Sequence, residues 1–246
     1  MIRRFVVLPD TDAVAVAAAD RFVSLAANAI RRRGSFRVAI SGGFTPRAAY
    51  ALLAAPPRAT VVDWSRVELF WVDERTVPPD HPDSNFGAAC TGGLARIDGL
   101  RDGAVHRMRA EAPDLDAAAH AYQAEIATVF GIPPDAAAPP FDLVWLGMGH
   151  DGHTASLFPG SPALGELRRW VIGAWAPGPA SWRMTLTFPV LNAAREAVFT
   201  VCGPDKAAAF ALVRAGASQL PAARVRARRT LWLVDSSTAG SGSDPA

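Results

Sequence analysis

Short runs that are apolar on both faces alternate along this chain with longer stretches of helical periodicity. RFVVLP (Arg4 to Pro9), FRVAIS (Phe36 to Ser41), VELFWVD (Val67 to Asp73) and FDLVWLG (Phe141 to Gly147) are such runs, and WVIGAW (Trp170 to Trp175), EAVFTVCG (Glu196 to Gly203) and TLWLVD (Thr230 to Asp235) continue the series. A strand without a solvent face must be covered on both sides, which parallel sheets with crossover helices achieve. Helical patterns fill the intervals. One starts with Thr11 or Asp12 as N-cap and stops at Gly34, a second begins near Thr45 or Pro46, and a third spans Leu115 to Phe130. A fourth opens at Pro204 and Asp205 and runs through Ala215. The expected fold is α/β: a mostly parallel, Rossmann-like sheet with helices on both faces.

With 246 residues, half of them hydrophobic, the chain can bury a sizeable core. No internal repeat or long linker divides it, and the Pro-rich stretch from Pro133 to Phe141 reads as a loop. One domain over 1–235 is expected. The Gly/Ser-rich tail, 236–246, has nothing to bury and is expected to be disordered.

Charge excludes some functions. Twenty-five Lys and Arg face 23 Asp and Glu, a net charge of +2. The clusters Arg31–Arg33 and Arg224, Arg226, Arg228, Arg229 are not interleaved with aromatic residues, so they read as solvated ends and no nucleic-acid partner is indicated. Cys90 and Cys202, the two cysteines, form neither a disulfide framework nor a C-x-x-C zinc spacing and read as reduced thiols. The opening MIRRFVVLPDTD is too short for a signal peptide, and no apolar run is read as approaching a membrane span. A soluble, cytoplasmic protein without a membrane partner is expected.

The unusual residues gather where the strands end, the place where open parallel sheets bind ligands. SGGFTPRAAY brings Ser41, Gly42, Gly43 and Thr45 to a helix start, which suits a phosphate cradle or, equally, a plain glycine turn with Thr45 as N-cap. VDERTV places Asp73, Glu74 and Arg75 after a buried strand, where they must pair with one another or meet a polar ligand. Ser84 and Asn85 read as an N-cap for the next helix. LGMGHDGHTASLFPG (Leu146 to Gly160) sets Asp151 two residues before His153 on a glycine-rich turn. A carboxylate beside an imidazole is a general-base arrangement. A metal would need a third ligand that no His spacing supplies, so none is expected. RMTLTFPVLN contributes Arg183. GPDKAAAF puts Lys206 in the first turn of a helix, where a cation opposes the dipole unless an anion shares the site. Solvated surface charge is the alternative for both.

Together these motifs, in this order, closely resemble those of the 6-phosphogluconolactonases, from Phe5 to Asp235. DGHTASLFPG is the most specific of them, whereas SGG-x-TP is shared with relatives. The resemblance implies the fold of the sugar-phosphate isomerases and deaminases. It also implies hydrolysis of 6-phospho-D-glucono-1,5-lactone in the oxidative pentose phosphate pathway, with no cofactor and no covalent nucleophile. His153 would be the general base and Asp151 its orienting partner. Arg75, Arg183 and Lys206 would bind phosphate or stabilise charge, and Ser41, Gly42, Gly43 and Thr45 would form the cradle. The substrate partner is a small sugar-phosphate lactone. Glucose-6-phosphate dehydrogenase is a possible pathway neighbour, though no sequence feature shows contact.

Two other readings remain. An aminosugar-phosphate deaminase or aldose–ketose isomerase keeps the cradle and His153, but the related deaminases carry a catalytic glutamate where Phe158 precedes Pro159 here. A non-catalytic sugar-phosphate sensor would need neither Asp151 nor His153 and would carry an N-terminal DNA-binding module.

Overall fold

The computed structural model describes residues 2–178 and 180–240. Its strands are β1 (Ile2–Leu8), β2 (Phe36–Ile40), β3 (Val67–Trp71), β4 (Asp73–Arg75), β5 (Val105–His106), β6 (Leu143–Leu146), β7 (Val171–Pro177), β8 (Ala180–Leu186), β9 (Glu196–Val201) and β10 (Arg229–Asp235). Its helices are α1 (Thr11–Arg33), α2 (Phe44–Leu53), α3 (Arg58–Val61), α4 (Asn85–Thr91), α5 (Leu115–Phe130), α6 (Phe188–Ala193), α7 (Ala207–Arg214) and α8 (Ser236–Ala239). A seven-stranded parallel sheet has the order β1-β10-β9-β6-β2-β3-β5. The chain steps outward from β2 to β3 and β5, then returns to β6 and steps the other way through β9 and β10. The reversal between β2 and β6 leaves a crevice at the strand ends, the usual ligand site of such sheets.

Alternation along the strands sends side chains to both faces. On one face Phe36 meets Phe22 of α1 edge-on at 5.1 Å. On the other, Phe70 stacks on His106 at 4.2 Å and meets Phe141 at 5.2 Å, beside Tyr122 of α5. Each large side chain buried in these layers contributes roughly 2–3 kcal/mol relative to exposure. The expected α/β sheet with covering helices is therefore present.

Several local expectations need correction. The N-cap of α1 is Asp10, whose carboxylate accepts from the Ala13 N–H at 2.8 Å; the stop at Gly34, in the left-handed region at φ 77°, is as expected. By length and composition α1 could also span a membrane, contrary to the expectation that no run approaches that size. Its face of Val14, Ala18, Phe22 and Ala26 is buried in the core, where small alanines let the helix lie close to the sheet.

The run VELFWVD does not stay in one sheet. Val72 donates to the Ile40 carbonyl at 2.8 Å while its own carbonyl accepts from Leu186 at 2.8 Å. It is a pivot: beyond it β4 pairs antiparallel with β8, and β8 with β7. WVIGAW thus belongs to a separate three-stranded sheet. RMTLTF, the stretch that contributes Arg183, is mostly the central strand of that sheet. The tail also begins with structure. Asp235 caps α8 by accepting from the Thr238 N–H at 2.8 Å, and Thr238 is buried. The disorder expected from residue 236 therefore does not hold for Ser236–Ala239, and residues 241–246 lie outside the described residues.

Candidate active site

The ends of β2, β6 and β9, with β4 beside them, surround a cavity of about 490 Å³ lined by Ser41, Gly42, Gly43, Thr45, Asp73, Arg75, Asn85, Gly149, His153, Ala155, Cys202, Asp205 and Lys206, among others. The strand order brings the loops expected to act together into one crevice.

His153 is held on three sides. Its Nδ1 lies 2.6 Å from Asp151 Oδ1, and the same carboxylate oxygen accepts from the His153 backbone N–H at 3.0 Å. A carboxylate can only accept, so Nδ1 carries the proton and Nε2 presents a lone pair. Among the described residues Nε2 has no partner. The imidazole packs on Phe158, with centroids 4.5 Å apart. Gly149 forms the third side: a Cβ there would lie 2.1 Å from both Cε1 and Nδ1 of His153. Burial raises the Asp151 carboxyl, but hydrogen bonds and the charge of His153 outweigh it and hold the group below the ordinary carboxylate range. Asp151 itself does not line the cavity; it reaches the cavity through the imidazole. Thr154 starts no helix, and its hydroxyl ties back to the Gly147 carbonyl at 2.8 Å.

The three charges after β3 separate. Glu74 is almost fully buried and accepts from the backbone N–H groups of Arg75, Asn85 and Phe86, each at 2.8 Å, so it caps α4 rather than meeting ligand. Burial, assisted by Asp73, pushes its carboxyl up despite those donors. Asp73 accepts from Ser156 Oγ at 2.7 Å and from Asn85 Nδ2 at 3.3 Å. Arg75 faces the cavity and donates to the Asp83 carbonyl. Arg183 stands opposite Arg75 in the β4–β8 register, buried and outside the cavity lining, with Nε on Ser181 Oγ at 3.2 Å. Burial lowers its pKa, and the neighbouring Arg75 lowers it further. Like charges directly opposite on paired strands are unfavourable, which makes this corner receptive to an anion.

Lys206 lies in the tight turn before α7 and pairs with Asp205 at 2.7 Å. The Lys206 ammonium holds the exposed Asp205 carboxyl below its usual range. Gly203 heads the turn at φ 110° and donates to Asp235 at 3.2 Å. Cys202, just after β9, lies beside Thr45 and Thr11 in the cavity wall, and burial pushes its thiol up. The Lys206 turn therefore adjoins the glycine cradle. In the cradle, Gly43 adopts φ 109°, which favours glycine, while Tyr50 OH donates to the Ser41 carbonyl.

Gly42 lines the cavity with the rest of the cradle and has a second, steric part. A Cβ on it would stand 1.7 Å from Asn85 Oδ1. Its missing side chain is space for Asn85. Cavity-lining residues that the sequence reading did not single out for the site include Asn85, Gly149, Ala155, Cys202 and Asp205. Ala155 has φ 47°, an uncommon conformation for a residue with a Cβ, on the cavity wall. Asn85 had a visible signal only as an N-terminal helix residue. Among the described residues, no group of three or more His, Cys, Asp or Glu is placed to hold a metal.

A family model described as glucosamine-6-phosphate isomerases/6-phosphogluconolactonase matches residues 9–232. The chain belongs to this family. Within the glucosamine-6-phosphate isomerase/6-phosphogluconolactonase family it is 41% identical to 6-phosphogluconolactonase of Streptomyces coelicolor over 244 residues, covering 96% of this chain and 93% of that one. It is 39% identical to 6-phosphogluconolactonase of Mycobacterium tuberculosis, covering 93% and 94%. The crystal structure of 6-phosphogluconolactonase from Thermotoga maritima superposes with a TM-score of 0.80 at 28% identity, covering 95% of this chain and all of that one.

Proposed function

We propose that this protein hydrolyses 6-phospho-D-glucono-1,5-lactone to 6-phospho-D-gluconate, with His153 as general base. The observation that carries the mechanism is the 2.6 Å His153–Asp151 contact, which leaves Nε2 unpartnered toward a cavity containing Lys206, Arg75 and a glycine cradle. The identity to relatives named 6-phosphogluconolactonase supports the substrate.

Water bound at Nε2 gives its proton to the imidazole as its oxygen attacks the lactone carbonyl. Asp151 stabilises the imidazolium that forms. The carbonyl oxygen gains negative charge in the tetrahedral intermediate and is met by Arg75, backed by Arg183. Collapse breaks the bond to the ring oxygen, which takes the proton back from Nε2. The phosphate is held by Ser41, Gly42, Gly43 and Thr45 at the start of α2, together with Lys206 from the adjoining turn. A lactone needs no covalent nucleophile, and the chemistry of these side chains calls for no cofactor. The span 1–235 is proposed to be one α/β domain, extended at its end by α8, whose Thr238 is buried against Val201.

The test couples 6-phosphogluconolactone, generated in situ from glucose 6-phosphate and its dehydrogenase, to 6-phosphogluconate dehydrogenase. The wild type should accelerate hydrolysis over buffer, and folded His153→Ala should not. No acceleration by the wild type sinks the substrate; acceleration surviving in His153→Ala sinks the base. Lys206→Ala should raise KM roughly tenfold or more, the loss of one charge-assisted contact, while Arg75→Ala should act mainly on kcat.

A further inference from the structure

Asn85 lies at the first position of α4, yet its side chain belongs to the cavity. Its Nδ2 donates to the Asp73 carbonyl at 2.8 Å and to Asp73 Oδ1 at 3.3 Å. Both neighbours are acceptors, so the amide end of the carboxamide faces Asp73 and the oxygen end faces away from it. That oxygen, Oδ1, is buried and has no hydrogen-bond partner, in a residue only 2% exposed that lines the cavity wall against Gly42. Buried carbonyl oxygens are normally satisfied, and an unpartnered one beside a ligand cavity marks a missing donor. Neither the cations nor the cradle of this site supply that donor, and a phosphate dianion brings only acceptors. Asp73, on the same wall, also offers acceptor oxygens. The cations Lys206, paired with Asp205, and Arg75 line the cavity, and Asp73 and Asn85 add acceptor oxygens to its wall.

We propose that Asn85 is a specificity-determining residue that accepts a hydrogen bond from a hydroxyl of a polyol phosphate, with Asp73 as the positioning residue that fixes its carboxamide. This rests on the sugar-phosphate reading above and adds to it what the site reads besides phosphate. Gly42 is required because any side chain there would occupy the place of Oδ1. A site built to pair a substrate hydroxyl discriminates strongly against analogues that lack it, since the buried acceptor is then left unmet.

The test is equilibrium binding by calorimetry, which does not depend on turnover. The probes are 6-phosphogluconate, 6-phosphooxyhexanoate (the same chain and end groups without hydroxyls) and inorganic phosphate. The wild type should bind 6-phosphogluconate roughly tenfold or more tightly than the hydroxyl-free chain. Asn85→Ala should narrow that preference about fivefold or more, with binding of inorganic phosphate and of the hydroxyl-free chain kept within about twofold. Asn85→Ser takes its place if the alanine variant does not fold. A wild type without preference overturns the proposal by itself, whatever the variants do. Equal weakening of all three probes in a folded variant also overturns it, because Asn85 would then only support the loop. Preference without lactone hydrolysis would leave Asn85 standing and remove the lactonase reading; hydrolysis without preference would do the reverse.

Discussion

His153 and His106 both rest against carboxylates, and their surroundings lead to opposite uses. His106 sits at the edge of the large sheet with Nδ1 2.7 Å from Glu125 and Nε2 3.0 Å from Glu68. Both nitrogens face carboxylates, which favours a proton on each and leaves neither nitrogen open to the cavity as a base. Burial works against the resulting charge, but the two glutamates outweigh it and raise the His106 pKa. His153 has one carboxylate, on Nδ1, and a cavity on the other side. One contact orients a base, and two contacts consume it. The local sequences do not announce this difference; it arises from what the fold places opposite the second nitrogen.

The largest expected effect separates the two histidines directly. His153→Ala should lower kcat about 10²–10⁴-fold, whereas His106→Leu should leave kcat within about threefold in a protein that still folds. Steady-state kinetics on both variants checks this, and a comparable collapse of kcat in His106→Leu would break the contrast. Next is Gly149→Ala, whose Cβ would meet the His153 ring at 2.1 Å. Displacing the imidazole by that much should cost roughly 10²-fold in kcat with little change in KM. An unaffected kcat would show that the ring needs no such fixing.

The smallest effect is on stability. His106→Leu should cost about 2 kcal/mol near pH 6 by urea unfolding, the worth of a charge-assisted contact in a partly buried setting. The folded pKa of His106 is raised above the unfolded value of about 6.5, so its contribution is complete below that value and is lost as pH rises through the folded pKa. Glu68 has the opposite sign. Burial raises its carboxyl, but His106 and Arg101 outweigh this and lower it, so its contribution is present above about pH 4.3 and is lost as pH falls through the folded value. The difference between wild type and His106→Leu should therefore shrink toward alkaline pH. A difference independent of pH would mean that His106 acts through packing on Phe70 alone.

Much of the site could be read from the chain before folding. The DGHTASLFPG and SGG-x-TP stretches are local, and their chemistry is carried by neighbouring residues: Asp151 and His153 are two apart and meet through a single turn. Asp73, Glu74 and Arg75 show where local reading fails. Three adjacent charges could pair with one another, but the structure sends each to a different partner: Ser156 for Asp73, the start of α4 for Glu74, and the Asp83 carbonyl with the cavity for Arg75. Their alternation along β4 turns neighbours in sequence to opposite faces. Arg183 was legible as a charge but not as a buried strand residue behind Arg75, because its run has the composition of either a strand or a loop.

The sequence by itself determined the alternation of strands and helices, the two-sided burial of the sheet and the His153–Asp151 couple, since each depends on residues close together in the chain. Tertiary structure alone decided that Val72 would pivot the chain into a second sheet and that Gly42 would leave its space to Asn85. It also decided that His106 would spend both nitrogens on glutamates while His153 kept one. Those outcomes depend on groups brought together from distant segments, and no local pattern encodes which donor will stand opposite which acceptor once the strands are ordered.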